Sequence, residues 1–328
     1  MNDKIRSHSN YNLIFLKVVI VAPFSFGYID SLVRKMSENN DLEVLFINTS
    51  EISFQYSGII HRTKNFFLKT FAKKNLKRDF VEDIIEQQVR ERGPQDKILV
   101  IRPDKFSKQH LKFLKSHSKT LIAYLFDSVA VIPGQVKNKA IFDEVFSYEK
   151  EDVQKYGFKF ITNFIPFDLP SNPMTPNNGL FNISSFDHRY KLLLKIAKQL
   201  KEANYDYHIV VKKDKPLSEE LVHFTSEYWS LEKVKESLKE ASILLDIQKH
   251  EQFGLSFRVF ESLGFSKKLI TTNSSIVEYD FYDSDNILVI DPANPVIPRE
   301  FFQKEYKELP ESIISKYRRE AWIEQVLF

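Results

Sequence analysis

The segment from Asp246 to Asn273 (DIQKHEQFGLSFRVFESLGFSKKLITTN) holds the densest set of side chains able to do chemistry. A glycine ahead of a helix lets backbone approach an anion, and the helix N-terminus adds free N–H groups and a positive dipole end. Gly254 and Leu255 would supply that turn, with Ser256 adding a hydroxyl donor and Arg258 a two-pronged grip on phosphate oxygens. Glu261, about two turns into the helix, could accept hydrogen bonds from a ribose diol. The chemistry would be the binding of a phosphate group. A plainer reading of the same residues makes Ser256 a helix cap, Leu255, Val259 and Leu263 a core face, and Arg258 and Glu261 solvated.

Other candidates stand at strand ends. Arg189 follows a strand and could face a diphosphate, or pair with Asp187; Lys212 and Lys213 end the next strand and could serve the same purpose. Asp127 ends a strand in the first half, where it could act as general base on an acceptor hydroxyl or simply cap a turn, and Asp30 is a rival. The turn Pro23–Tyr28 adds Gly27 and Tyr28 as candidate substrate-binding residues. Asp283-Ser284-Asp285 imitates a metal-binding carboxylate pair but sits in a turn-rich stretch and reads as a turn, and the eight histidines have no ligand spacing, so no metal is expected. Residues 52–78 carry seven Lys and Arg and no acid, with phenylalanines between them; the segment suits an anionic membrane, a phosphorylated lipid-linked acceptor, or a solvated helix.

These strand ends need a particular scaffold. Lys17–Ala22, a helical stretch 28–38 and Leu42–Asn48 form a βαβ unit, continued by strands at 97–102 (KILVIR), 120–126 and 144–148 and a helix at 108–116. Residues 168–179 (DLPSNPMTPNNG) have linker composition. Alternation resumes with strands at 180–184, 207–212, 243–247 and 268–272 and helices at 189–203, 231–240 and 255–263. The reading is α/β, two tandem Rossmann-like domains facing across a cleft: a loose tail at 1–12, an acceptor domain at 13–167, a linker at 168–179, and a donor domain at 180–328 whose last helix spans 312–326.

Composition narrows function. The 328 residues are 43% hydrophobic and 28% charged with a net charge of +3, too little for a general nucleic-acid binder. With no cysteine, thiol chemistry and cysteine-ligated metals are excluded. Only eight glycines are present and none cluster, which disfavours a P-loop or a dinucleotide fingerprint. The apolar run 13–22 is interrupted by Lys17 and reads as a core strand rather than a signal peptide, so the expected location is cytoplasmic or peripheral on the inner membrane face.

The segment Glu261-Ser-Leu-Gly-Phe-Ser-Lys267-Lys-Leu-Ile-Thr-Thr-Asn273 resembles the nucleotide-sugar site of GT-B glycosyltransferases. With Tyr124-Leu-Phe-Asp127-Ser128, Phe142–Asp152, Ser185-Phe-Asp187-His-Arg189 and Gly254–Glu261, the chain is similar to bacterial lipopolysaccharide-core and capsule glycosyltransferases and the spore-coat-maturation-like group. The resemblance implies a nucleotide-sugar donor as co-substrate, a glycan or lipid-linked glycan acceptor, Glu261 on the ribose, Gly27 and Tyr28 in an acceptor-side turn, and Gly254, Ser256 and Arg258 neutralising the departing nucleotide phosphate without a metal ion. Large retaining families separate two glutamates by seven residues; nine separate Glu251 from Glu261, so Glu251 inherits no role and retention is not inferred. A polyol-phosphate transferase of the same fold and a non-catalytic nucleotide- or glycan-binding module are the alternatives.

Overall fold

The computed structural model describes residues 15–55, 57–58, 62–63, 65–66, 70, 75–169 and 178–328. Two all-parallel sheets form among them. In the first, β1 (Leu16–Ala22), β2 (Leu42–Asn48), β3 (Gln95–Ile101), β4 (Ser118–Leu125), β5 (Glu144–Ser147) and β6 (Lys159–Phe160) run in the order 2-1-3-4-5-6. In the second, β7 (Asn178–Ser185), β8 (Tyr207–Lys212), β9 (His223–Thr225), β10 (Ala241–Asp246), β11 (Lys268–Thr271) and β12 (Ile287–Val289) run 12-11-10-7-8-9. Central strands are near-continuous apolar runs because helices cover both faces: Val18 to Val21 and Ile98 to Ile101 are wholly buried.

The helices of the first domain are α1 (Tyr28–Ser37), α2 (Leu76–Arg92), α3 (Lys108–Ser116) and α4 (Lys150–Tyr156); α5 (Tyr190–Glu202), α6 (Leu231–Glu240), α7 (Phe257–Gly264), α8 (Arg299–Gln303) and α9 (Glu311–Ile314) belong to the second, and α10 (Arg319–Leu327) ends the chain. Helix α6 begins at Ser230, whose hydroxyl accepts from the Lys233 N–H, an ordinary N-cap. Reversal of strand order at β7 and β10 places a crevice beyond their carboxyl ends.

The last helix departs from the sequence expectation. Assigned to the second domain as one helix at 312–326, it is broken at 315–318, and α10 returns to the first domain, where Trp322, Ile323, Val326 and Leu327 pack with Ile29, Leu32 and Met36. The buried Arg319, which donates to Ser31 Oγ at 2.9 Å and pairs with Asp168, pins it there. Most of the linker, the N-terminal tail and twelve of the 27 residues of the basic stretch at 52–78 lie outside the described residues.

Candidate functional site

A cavity of about 300 Å³ lies between the domains at the carboxyl ends of β7 and β10. From the second domain its walls include Asn182, Ser184, Arg189, Asp246, Lys249 and Arg258; from the first, Phe26, Tyr28, Asp127 and Tyr148. A lobe of about 180 Å³ continues past Ser184 and Arg258 to Lys212, Tyr228 and Trp229. Phe26 is held at φ 55° and its ring meets Tyr228 edge-on at 5.4 Å.

Two buried polar atoms of residues on this wall have no partner, Asn182 Oδ1 and Ser184 Oγ, while Arg258 Nη1 beside them is held only by Glu261 Oε2 at 2.8 Å. Buried polar atoms are ordinarily satisfied, so two on the wall of one cavity mark where a ligand's polar groups belong. Asn182 and Ser184 escaped sequence reasoning, although polar side chains inside a central parallel strand (FNISS) were a signal.

The expected phosphate turn is occupied otherwise. The N–H groups of Phe253 and Gly254 donate to Glu149 Oε2 at 3.0 and 2.8 Å, and Glu149 comes from the first domain. A Cβ on Gly254 would lie 2.3 Å from Tyr148 Cδ2 and 2.5 Å from Tyr148 O, so the glycine permits close approach of the two domains. Glu149 is 2% exposed, and burial pushes its carboxyl up to about 7. Leu255 is core, and its carbonyl accepts from Asn163 Nδ2 at 2.9 Å. Ser256 makes no cap bond; its hydroxyl donates to Asp246 Oδ1 at 2.8 Å, while Asp246 Oδ2 accepts from Thr271 at 2.9 Å. The whole 251–257 loop is thus docked onto the first domain, with Ser128 Oγ donating to the Glu251 carbonyl and Phe257 seated near Phe126 and Phe164.

Glu261, expected to be open to a ribose, is fully buried. Its Oε1 accepts from Tyr28 O–H at 2.9 Å and its Oε2 lies 2.8 Å from Arg258 Nη1. Tyr28 reaches across from α1, stacked on Phe257 with ring centroids 3.9 Å apart. Burial raises the Glu261 carboxyl above its ordinary value against the pull of Arg258 and the Tyr28 hydroxyl. Gly27 precedes α1 at φ 83°, a left-handed backbone that favours glycine, with Leu231 against it.

The remaining candidates sort by position. Arg189 lines the cavity, grips Asp187 through Nε and Nη2, and donates to the Ile247 carbonyl at 3.0 Å. Asp127 also lines it, accepting from Gln252 Nε2 at 2.9 Å, with Arg102 and Lys249 3.8 and 3.9 Å away. Lys212 sits in the aromatic lobe, its Nζ 4.5 Å from the Tyr228 ring and paired with Asp214. Lys213 lies over Phe186, and Asp30 falls in the first turn of α1, off the cavity wall. Asp283 closes a turn onto the Asp285 N–H, and both aspartates face lysines, Lys307 and Lys304.

No protein-family model and no curated protein matches the chain. Solved structures do. A UDP-N-acetylglucosamine 2-epimerase is 11% identical, with 96% of each chain covered and a TM-score of 0.58. The UDP-GlcNAc 2-epimerase from Neisseria meningitidis, bound to UDP-GlcNAc, is 9% identical over 95% of this chain and 100% of its own at 0.56; the OtsA apo structure is 9% identical over 95% and 99%, also at 0.56. The fold is GT-B. At these identities the likeness is one of architecture. No helix among the described residues is long and apolar enough to cross a membrane.

Proposed function

We propose that this chain is a glycosyltransferase that takes a sugar from a nucleotide diphosphate donor and passes it to a glycan hydroxyl. The carrying observation is one interdomain cavity at the strand-order reversal, lined by Arg189 and Arg258 and by Asn182 and Ser184, whose buried Oδ1 and Oγ have no partner. Arg258 and Arg189 neutralise the diphosphate as it departs, and the lobe of Tyr228 and Trp229 receives the base. Asp127 takes the proton of the acceptor hydroxyl while that oxygen bonds the anomeric carbon and the carbon–oxygen bond to the diphosphate breaks, its electron pair leaving with the nucleotide. Glu261 meets the ribose once Tyr28 withdraws. Support for a UDP-sugar comes from the Neisseria meningitidis structure, bound to UDP-GlcNAc. Support for a bacterial lipopolysaccharide or capsule acceptor comes from the resemblance of Phe142–Asp152 and Gly254–Glu261.

The test is a panel of nucleotide sugars with glycan acceptors, products read by mass spectrometry, with and without magnesium. A glycoside formed by the wild type and lost in Arg258→Ala is the expected result. A phosphodiester product would replace this reading with polyol-phosphate transfer, an isomerised donor sugar with epimerisation; donor binding without turnover would make the chain a binding module.

A further inference from the structure

A second cavity, of about 450 Å³, opens beside the nucleotide cleft between the start of α5 and the loop after β10. The two share Arg189, Ile247, Gln248 and Lys249, so they lie side by side. Its wall carries His188, Arg189, Lys191, Lys195, Lys249 and His250, and no Asp or Glu lines it. Of its four permanent cations, Arg189 is paired with Asp187 and Lys249 lies 3.9 Å from Asp127, which leaves Lys191 and Lys195 as the charges without an acid beside them.

The placement works against the helix that carries it. Lys191 and Lys195 stand four residues apart on α5, a like-charge spacing that destabilises a helix. Lys191 also lies in the first turn, at the positive end of the dipole, with no acid in that turn to offset it. Neither lysine has an ion-pair partner among the described residues, and Asp187, just ahead of α5, is taken up by Arg189. An anion in the cavity relieves all of these at once, completing the positive dipole end and the lysine pair.

We propose that this cavity is an anion subsite holding a phosphate or carboxylate carried by the sugar or polyol substrate, distinct from the donor diphosphate. Such a site selects charged substrates: a neutral sugar leaves Lys191 and Lys195 to repel one another, whereas an acidic or phosphorylated one is held against them. The inference rests on the nucleotide-donor reading for its neighbour, since Arg189 and Arg258 already account for the diphosphate.

The test is calorimetric titration of the full chain with glucose 6-phosphate, glucuronate and glucose, at low and at physiological ionic strength, with UDP as a control. The same titrations on Lys191→Ser/Lys195→Ser, both side chains being exposed, complete it. The wild type binds glucose 6-phosphate or glucuronate and not glucose, binding weakens with salt, and the double variant loses about tenfold or more in affinity for the anion while UDP is unchanged. Preference for glucose 6-phosphate names phosphate as the ligand group and preference for glucuronate names carboxylate. Binding of neither anion, or equal binding by the variant, overturns the subsite. If UDP fails to bind while the lysine-dependent anion binding persists, the nucleotide reading falls and the subsite stands.

Discussion

Glu149→Gln isolates the contact that holds the 251–257 loop on the first domain. Glutamine keeps an oxygen for the Phe253 and Gly254 N–H groups and places its amide where Glu149 Oε1 has no partner. Burial raises the Glu149 carboxyl from an ordinary 4.5 to about 7, so the folded protein keeps this proton after the unfolded chain has lost it. Below pH 4.5 both states are protonated and the contribution is complete. Between 4.5 and 7 the unfolded chain ionises first and stability falls, by about 3 kcal/mol in all at roughly 1.4 kcal/mol per pH unit. Glutamine does not titrate. Urea unfolding of both proteins should therefore show the variant gaining about 2–3 kcal/mol relative to wild type between pH 5 and pH 8. A constant cost of burying the amide cancels in that comparison. A relative stability that does not change with pH, or one that favours the wild type more at pH 8, would mean that the two N–H bonds outweigh burial and that the carboxylate is ionised in the folded state.

Three further outcomes follow from the same geometry. Gly254→Ala should destabilise the protein by about 3 kcal/mol in urea unfolding, and adding Tyr148→Ala should restore only part of it, because the Tyr148 carbonyl remains 2.5 Å from the new methyl. Tyr28→Phe removes the donor to Glu261 while keeping the stack on Phe257. It should cost about 1 kcal/mol of stability yet tighten nucleotide binding about fivefold in calorimetry, since the ribose no longer competes with the phenol; unchanged affinity would remove Glu261 from the ribose role. Trp322→Ala should lower stability by about 3–5 kcal/mol in the transition that unfolds the first domain, because α10 completes that core.

The scaffold was legible because its signals are local. Val18 to Val21 are β-branched or apolar without a break and had to be buried on both faces, and the strands at 42–48 and 207–212 and the helix at 231–240 fall where their patterns end. Helix α2 was unread because Leu76–Arg92 is mostly charged and its apolar stripe is thin, with Ile85 and Val89 its buried apolar residues. The site was half legible. Arg189, Arg258 and Asp127 do converge on one cavity, but what Gly254, Ser256 and Glu261 do there was set by partners that no local pattern names. Glu149 meets Gly254 from 105 residues away and Tyr28 meets Glu261 from 233. A glycine before a helix reads as an anion turn until the carboxylate that fills it is known. Likewise, nothing in the local pattern of α10 says which domain Trp322, Ile323, Val326 and Leu327 cover.

The central claim is that the cavity between the domains binds a nucleotide diphosphate. The chain has two tryptophans, Trp229 in the aromatic lobe and Trp322 in the first-domain core, so Trp322→Phe leaves a single reporter at the site. Its fluorescence should change saturably with one of UDP, GDP, ADP, CDP or dTDP, and Arg258→Ala should weaken that response about tenfold. Fluorescence unmoved by all five at millimolar concentration, in a protein shown to be folded, would contradict the claim.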